Sequence, residues 1–134
     1  MLFERRKYLN ELIAGRGNGL VKIVTGVRRC GKSFLLFNIW HNWLLEHGVD
    51  DGHIIEIQLD DYRNRKMRKP DALLGYIDSR VKDVGCPYYI VLDEVQLVED
   101  FVEVILSLTH MRNVDVYVSG SNSRFLSSDV VTEF

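Results

Sequence analysis

The sequence lacks several features that define large classes of protein. Its 134 residues contain only two cysteines and no run near the ~18 apolar residues of a membrane-spanning helix. So few cysteines exclude a disulfide framework and favour reduced thiols in a cytosol. No apolar segment with the flanks of a signal peptide begins the chain. We therefore expect a cytoplasmic protein with no membrane partner.

The charge of the chain also lacks a strong bias. A formal net charge of −2 gives no overall tendency toward nucleic acids or membranes. The first 32 residues differ, because they carry eight Lys or Arg against two Glu, a balance that suits a polyphosphate. The four histidines show no paired spacing of metal ligands. The length fits one core, so residues 1–134 are expected to form a single domain.

A phosphate-binding loop is the clearest motif. Residues 26–33, Gly-Val-Arg-Arg-Cys-Gly-Lys-Ser, match the pattern G-x-x-x-x-G-K-[ST], between an apolar run and a helical pattern. Glycines at both ends let backbone N–H groups point into one concavity at the start of the next helix. The residues expected to surround a nucleotide are Gly26, Val27, Arg28, Arg29, Cys30, Gly31, Lys32, Ser33 and Phe34.

Two side chains of this loop have the chemistry to bind ATP with Mg²⁺. Lys32 can place its ammonium between the β and γ phosphates, and the Ser33 hydroxyl can ligate an octahedral, mostly hydrated Mg²⁺. An ordinary glycine turn with a surface lysine is the alternative interpretation. The apolar run before the loop and the helical pattern after it favour the nucleotide site.

A second apolar run, Tyr88 to Leu92, ends in the carboxylates Asp93 and Glu94. Such a run predicts a central parallel strand whose carboxyl end emerges at the nucleotide. Asp93 is expected to hold Mg²⁺ directly or through one of its waters, which makes Ser33 and Asp93 the predicted metal residues. Glu94 is expected to accept a proton from, or to orient, the water that attacks the γ phosphate.

A third apolar run, Val114 to Val118, precedes Ser-Gly-Ser-Asn-Ser-Arg at 119–124. In nucleotide hydrolases that insert a strand between the phosphate-loop strand and the Asp-Glu strand, a polar residue at its end senses the γ phosphate. Ser119, Ser121 and Asn122 are the candidates for this role. Of these, we predict Ser119 and Asn122 as catalytic residues. A turn and helix cap is the alternative interpretation of the same residues.

Together these motifs resemble the signatures of a prokaryotic AAA+ type ATPase family whose full-length members carry a nuclease-like C-terminal domain. The motifs are Gly-Val-Arg-Arg-Cys-Gly-Lys-Ser, Leu-Asp-Glu-Val-Gln and Val-Ser-Gly-Ser-Asn-Ser-Arg. The resemblance runs from about Arg5 to the end of the chain. It implies an ASCE-type sheet, ATP with Mg²⁺ as the cofactors, Asp93 on the metal and Glu94 as the catalytic carboxylate.

Strands that alternate with helices predict an α/β fold of three layers, α/β/α, with a doubly wound and mainly parallel sheet. The resemblance implies the P-loop NTPase strand order 1-4-3-2, counting Leu20–Thr25, His53–Leu59, Tyr88–Asp93 and Val114–Val118 as strands one to four. Asp60 and Asp61, after the edge strand, are about 14 Å from the phosphate-loop strand by strand spacing, which is too far for an ordinary Mg²⁺ ligand. We predict a turn there, with a contact to a partner as the alternative. Asp100 with Glu103 predicts a capping box at the start of a helix.

The resemblance also implies a fifth strand beside the first, and the count of four places it beyond Phe134. We therefore expect a C-terminally truncated core that lacks the fifth strand, the helical lid and the C-terminal domain. The first strand is then an apolar sheet edge along which the chain is expected to self-associate. Without an arginine finger, hydrolysis by the isolated chain is expected to be weak or absent.

The sequence thus predicts an ATPase that drives or switches an attached domain. The alternative is a nucleotide-gated module that binds nucleic acid or a protein partner with little turnover. The basic segment Arg63 to Lys69 is either a contact for phosphates or a solvated loop. A kinase is disfavoured because no acceptor site is visible, and a GTPase because no Asn-Lys-x-Asp motif occurs.

Overall fold

A five-stranded sheet is the centre of the computed structural model, which describes residues 2–25, 31–82, 85–120 and 130–133. The strands are β1 (Val21–Thr25), β2 (Ile54–Gln58), β3 (Tyr88–Asp93), β4 (Val114–Gly120) and β5 (Val130–Glu133). Their order is β2-β3-β4-β1-β5, in which the first four strands are parallel and β5 runs antiparallel to β1. The predicted order 1-4-3-2 is confirmed.

Helices connect the strands. The longest are α1 (Leu2–Gly15), α4 (Pro70–Arg80) and α5 (Phe101–Thr109). The helical segment after the phosphate loop comprises α2 (Lys32–Phe34), a π-helical stretch (Leu35–Trp40) and α3 (His41–Glu46). Short 3₁₀ turns occur at Asp51–His53, Tyr62–Arg68 and Val95–Leu97. Within the described ranges no helix is long and apolar enough to cross a membrane.

Two apolar clusters lie on opposite faces of the sheet. On one face α4 and α5 contribute buried residues such as Ile77 and Ile105, and on the other α1 and the helical segment 32–46 contribute Leu12 and Trp40. Alternate residues of a strand point to opposite faces, so the strands supply both clusters. Every residue of β3 is buried, as expected for a central strand covered on both sides. The predicted α/β/α layering is confirmed.

The prediction that no fifth strand occurs before Phe134 is wrong. β5 pairs with the outer side of β1, with Val130 opposite Val24 and Glu133 opposite Val21. The β1 strand is therefore not a sheet edge, and the reason for expecting self-association along it is removed. The run Val-Val-Thr at 130–132 is β-branched and favours a strand, and pairing satisfies the backbone groups of β1.

Two local predictions had different outcomes. The capping box at Asp100 is wrong, because Asp100 has left-handed backbone angles (φ 52°, ψ 41°) and its side chain makes no cap hydrogen bond. Phe101, the first residue of α5, is buried in the core. The turn after β2 is confirmed, since the Asp61 carboxylate accepts a hydrogen bond from the Arg63 N–H at 3.0 Å.

Candidate functional site

The carboxyl ends of β1, β4 and β3 lie side by side, because the three strands are parallel neighbours. Val24 lies opposite Ser119, and Val118 lies opposite Leu92. Residues that follow the three strands therefore converge at one edge of the sheet, the usual place for ligands in open α/β folds. Several predicted site residues are outside the described ranges, namely Gly26, Val27, Arg28, Arg29, Cys30, Ser121 and Asn122.

The end of the phosphate loop turns directly into a helix. Gly31 has a φ of +86°, a conformation that glycine adopts without steric cost, and its carbonyl accepts a hydrogen bond from the Leu35 N–H at 2.9 Å. Lys32 begins α2, although its side chain is outside the described set. Phe34 is exposed. The positive φ explains why the loop motif requires glycine at position 31.

Ser33 and Asp93 are in direct contact. The Ser33 hydroxyl donates a hydrogen bond to Asp93 Oδ2 at 2.7 Å, which brings together the two residues predicted to hold the metal. Adjacent ligands of octahedral Mg²⁺, at 2.0–2.1 Å from the ion, are about 2.9 Å apart. The two oxygens therefore have a separation that suits neighbouring positions around Mg²⁺. The described residues contain no group of three or more His, Cys, Asp or Glu that could enclose a metal, and Mg²⁺ usually keeps several waters.

Ser119 connects both carboxylate residues. Its hydroxyl donates to Asp93 Oδ1 and accepts a hydrogen bond from the Glu94 N–H at 3.0 Å. All three residues are buried. Asp93 thus accepts from a hydroxyl at each carboxylate oxygen, and these two bonds fix the orientation of its carboxylate.

Glu94 has an unusual backbone. Its angles (φ 55°, ψ 50°) are left-handed, which is uncommon for a residue other than glycine, and only 4% of the residue is exposed. The Gln96 amide donates to Glu94 Oε1 at 2.7 Å, so the carboxylate has a fixed neighbour. Backbone strain of this kind concentrates at functional sites. The Gln96 contact was not predicted; the sequence signal for it is an amide two residues after the carboxylate.

A buried polar network at the other end of the strands was also missed. The fully buried Lys22 forms an ion pair with Asp115, and its ammonium also donates to the Leu20 carbonyl at 2.7 Å. The Tyr117 hydroxyl donates to Asp115 Oδ2 at 2.6 Å. Burial, and next the Asp115 charge, raise the pKa of Tyr117 above its ordinary range. The sequence feature that could have indicated this network is a single charged residue inside each of two apolar runs, Lys22 in β1 and Asp115 in β4.

The basic segment is a 3₁₀ turn rather than an open loop. Arg68 donates from Nε to the Leu59 carbonyl at 2.8 Å, and Lys69 pairs with Glu99, so both have structural contacts. Arg63, Arg65 and Lys66 are exposed. The Arg65 guanidinium lies 4.1 Å from the ring centre of Tyr62, which is 70% exposed.

Comparison with known proteins gives three similarities. The model of the family described as AAA domain matches residues 18–134. An uncharacterized protein of Haemophilus influenzae is 26% identical over 131 residues, which cover 98% of this chain and 32% of the relative. The structure of C. elegans PCH-2 superposes with a TM-score of 0.56 at 16% identity, covering 93% of this chain and 35% of that one.

These similarities differ in what they establish. The likeness to PCH-2 concerns the fold alone, because the identity is low. The chain spans about a third of the length of both relatives. The family match covers most of the chain, including Gly26–Ser33, Asp93 and Ser119. The chain therefore belongs to the AAA domain family and is an AAA+ P-loop ATPase-type domain.

Proposed function

We propose that the chain binds ATP with Mg²⁺ at the carboxyl edge of its sheet and that the intact protein hydrolyses it there. The contact between Ser33 and Asp93 carries this proposal, because it joins the end of the phosphate loop to the acidic end of β3. Family membership supports nucleotide chemistry in general. The finer assignments rest on the side chains at this edge.

The phosphates are assigned to the loop after β1. Backbone N–H groups of residues 26–34 and the Lys32 ammonium would contact them, while Ser33 and Asp93 hold Mg²⁺ directly or through its waters. Bound Mg²⁺ neutralises charge on the β and γ phosphate oxygens. The two-oxygen pair at 2.7 Å supports this choice of metal residues.

Glu94 is assigned to the attacking water. Its carboxylate can accept a proton or orient the water, and the hydrogen bond from Gln96 limits where the carboxylate can point. Ser119 would act by holding Asp93 and the Glu94 backbone, and Asn122 would contact the γ phosphate. The contacts of Ser119 favour such a positioning role over direct sensing.

We further propose that residues 1–134 form one ATPase core whose nucleotide state drives an attached domain. The two relatives are about three times as long as this chain, which leaves room in each of them for a further domain. A second candidate is nucleotide-gated binding of nucleic acid. The observation that favours it is Tyr62, an exposed aromatic ring stacked with Arg65 beside Arg63 and Lys66.

Calorimetric titration of the chain with Mg²⁺-ATP tests the main proposal. Lys32→Ala should weaken binding by about 10- to 100-fold, because it removes a charge-assisted contact to the phosphates. Lys82→Ala, which removes an exposed lysine beyond α4, is the matched control and should leave the affinity unchanged. An affinity of Lys32→Ala within about twofold of the wild type would contradict the proposal.

A further inference from the structure

A cavity of about 750 Å³ opens at the amino-terminal ends of the parallel strands, on the opposite edge of the sheet from the candidate nucleotide site. The end of α1, the first residues of β3 and β4 and the turn after α5 form its walls. Its volume lies within the ~300–1,000 Å³ that is typical of small-molecule pockets. None of its lining residues takes part in the proposed ATP chemistry.

Arg16 presents a fixed guanidinium in this wall. Its Nε donates to the Tyr89 hydroxyl at 2.8 Å, and its guanidinium carbon lies 5.2 Å from the ring centre of Trp43 and 5.5 Å from that of Tyr89. Among the described residues no other acceptor bonds to this guanidinium. Within the described part of the chain, the four N–H groups on its terminal nitrogens can therefore pair with a ligand.

The network around Asp115 holds Arg16 in place. Asp115 accepts from the Gly17 N–H at 2.9 Å and from the Tyr117 hydroxyl at 2.6 Å, and it forms the ion pair with Lys22. The bond to Gly17 fixes the turn that directly follows Arg16. Because the Lys22 ammonium neutralises Asp115, this carboxylate does not compete for Arg16. The guanidinium is thus preorganised, which reduces the entropy lost on binding.

The remaining described wall combines positive charge with apolar surface. Arg112 and His110 line it, and no described residue forms an ion pair with either side chain. Asp115, paired with Lys22, is the one acidic residue among the described lining residues. The apolar part of the lining includes Ile13, Leu20, Trp43, Met111, Val114 and Val116. A ligand that fits this wall carries a negative group and an apolar body.

We propose that this cavity is a binding site for a small carboxylate with an apolar body. The carboxylate pairs with the terminal nitrogens of Arg16, whose planar fork matches two carboxylate oxygens. Arg112 adds a second positive charge at the wall, and the apolar body packs near Met111 and the ring of Trp43. This site is independent of the proposed ATPase activity.

Phenylacetate is the probe for this site, and the backbone amide signals of Gly17, Asn113 and Asp115 in nuclear magnetic resonance spectra are the readout. Saturable shifts at these amides are expected. Arg16→Gln should weaken binding by about tenfold or more, because it removes a charge-assisted pair. Arg80→Gln is the matched control: Arg80 donates to the Tyr76 hydroxyl at 2.7 Å and lies 5.7 Å from its ring, but it does not line the cavity.

Three further measurements decide the outcome. Arg112 is exposed, so Arg112→Gln should keep the fold and weaken binding by about two- to fivefold. Phenethyl alcohol, which lacks the carboxylate, should bind at least about tenfold more weakly than phenylacetate. Equal binding of this alcohol, or unchanged affinity in Arg16→Gln, would overturn the proposal. Inorganic phosphate that shifts the same amides as strongly as phenylacetate would show general anion attraction and would overturn it too.

Discussion

Ser33 and Asp93 lie 60 residues apart in the sequence, yet the Ser33 hydroxyl donates a hydrogen bond to Asp93 Oδ2 at 2.7 Å. The strand β4 lies between β1 and β3 in the sheet, and its residue Ser119 donates to the other oxygen of Asp93. Three adjacent strands thus lead to one cluster of a carboxylate and two hydroxyls. The central claim is that this cluster holds the metal of a Mg²⁺-ATP complex.

Replacement of Glu94 by Gln should separate binding from hydrolysis. The amide keeps the shape of the side chain but cannot accept a proton from water, so hydrolysis should fall by about 10²- to 10⁴-fold while Mg²⁺-ATP binding persists. The measurement is phosphate release by the full-length protein under saturating ATP, with calorimetry for binding. Glu99→Gln, at an exposed carboxylate that pairs with Lys69, is the control. Unchanged turnover in Glu94→Gln would remove Glu94 from the assigned role.

The buried ion pair between Lys22 and Asp115 should contribute more to the free energy of unfolding than the exposed pair between Lys69 and Glu99. Asp115→Ala leaves the fully buried Lys22 ammonium without its partner and should lower the free energy of unfolding by about 3–5 kcal/mol. Glu99→Ala breaks the exposed pair with Lys69 and should cost less than about 1 kcal/mol. Denaturant unfolding of both variants gives the comparison. Equal effects in the two variants would show that burial of the first pair has no consequence.

Glu56 should make stability depend on pH. Burial, partly offset by the hydrogen bond with His41 at 2.8 Å, raises the pKa of Glu56 above its ordinary value of 4.5. Between the unfolded and the folded pKa, the folded state binds more protons, so this group's contribution to stability falls as pH increases. Glu56→Gln should therefore gain stability relative to the wild type as pH increases through that interval.

Denaturant unfolding at a series of pH values from 4 to 7 measures this difference. Glu103→Gln, at an exposed carboxylate of α5, is the control and should show a difference that does not change with pH. A constant difference for Glu56→Gln would show that the pKa of Glu56 is the same in the folded and unfolded states.

The second candidate function predicts salt-sensitive binding of single-stranded nucleic acid. Each neutralised phosphate contributes a slope of about −0.7 to log K against log salt. Changing Arg63, Arg65 and Lys66 to Gln should therefore flatten the slope by about two units, whereas Arg80→Gln should not change it. Fluorescence anisotropy with a labelled oligonucleotide measures both. No salt-sensitive binding by the wild type would identify Tyr62–Arg68 as solvated surface.

The resemblance to a known family supplied the order of the four parallel strands, and the sequence motifs were sufficient to bring the two predicted metal residues together. The phosphate loop and the Asp-Glu pair each follow an apolar run, and in a parallel sheet the residues after such runs meet at one edge. Each of the four parallel strands is also marked in the sequence by an apolar run. The turn at Asp61 is marked by the pair of aspartates that follows the second run.

The remaining features depend on contacts between distant parts of the chain. The β5 strand spans only Val130–Glu133, and its pairing with β1 depends on the β1 edge needing a partner. Asp100 has the sequence pattern of a cap, but its backbone is left-handed, its side chain makes no cap hydrogen bond, and the next residue, Phe101, is buried in the core. The ion pair of Lys22 with Asp115 joins residues on two strands, so neither residue alone reveals it.

The metal dependence of ATP binding in Asp93→Asn tests the central claim most directly. The wild-type affinity for ATP, measured by calorimetry, should be at least about tenfold higher with Mg²⁺ than with a chelator. Asp93→Asn should reduce this ratio strongly, because the amide lacks the charge that attracts the ion, while Glu94→Gln should preserve the ratio. An Asp93→Asn chain whose affinity still depends on Mg²⁺ as much as that of the wild type would contradict the account.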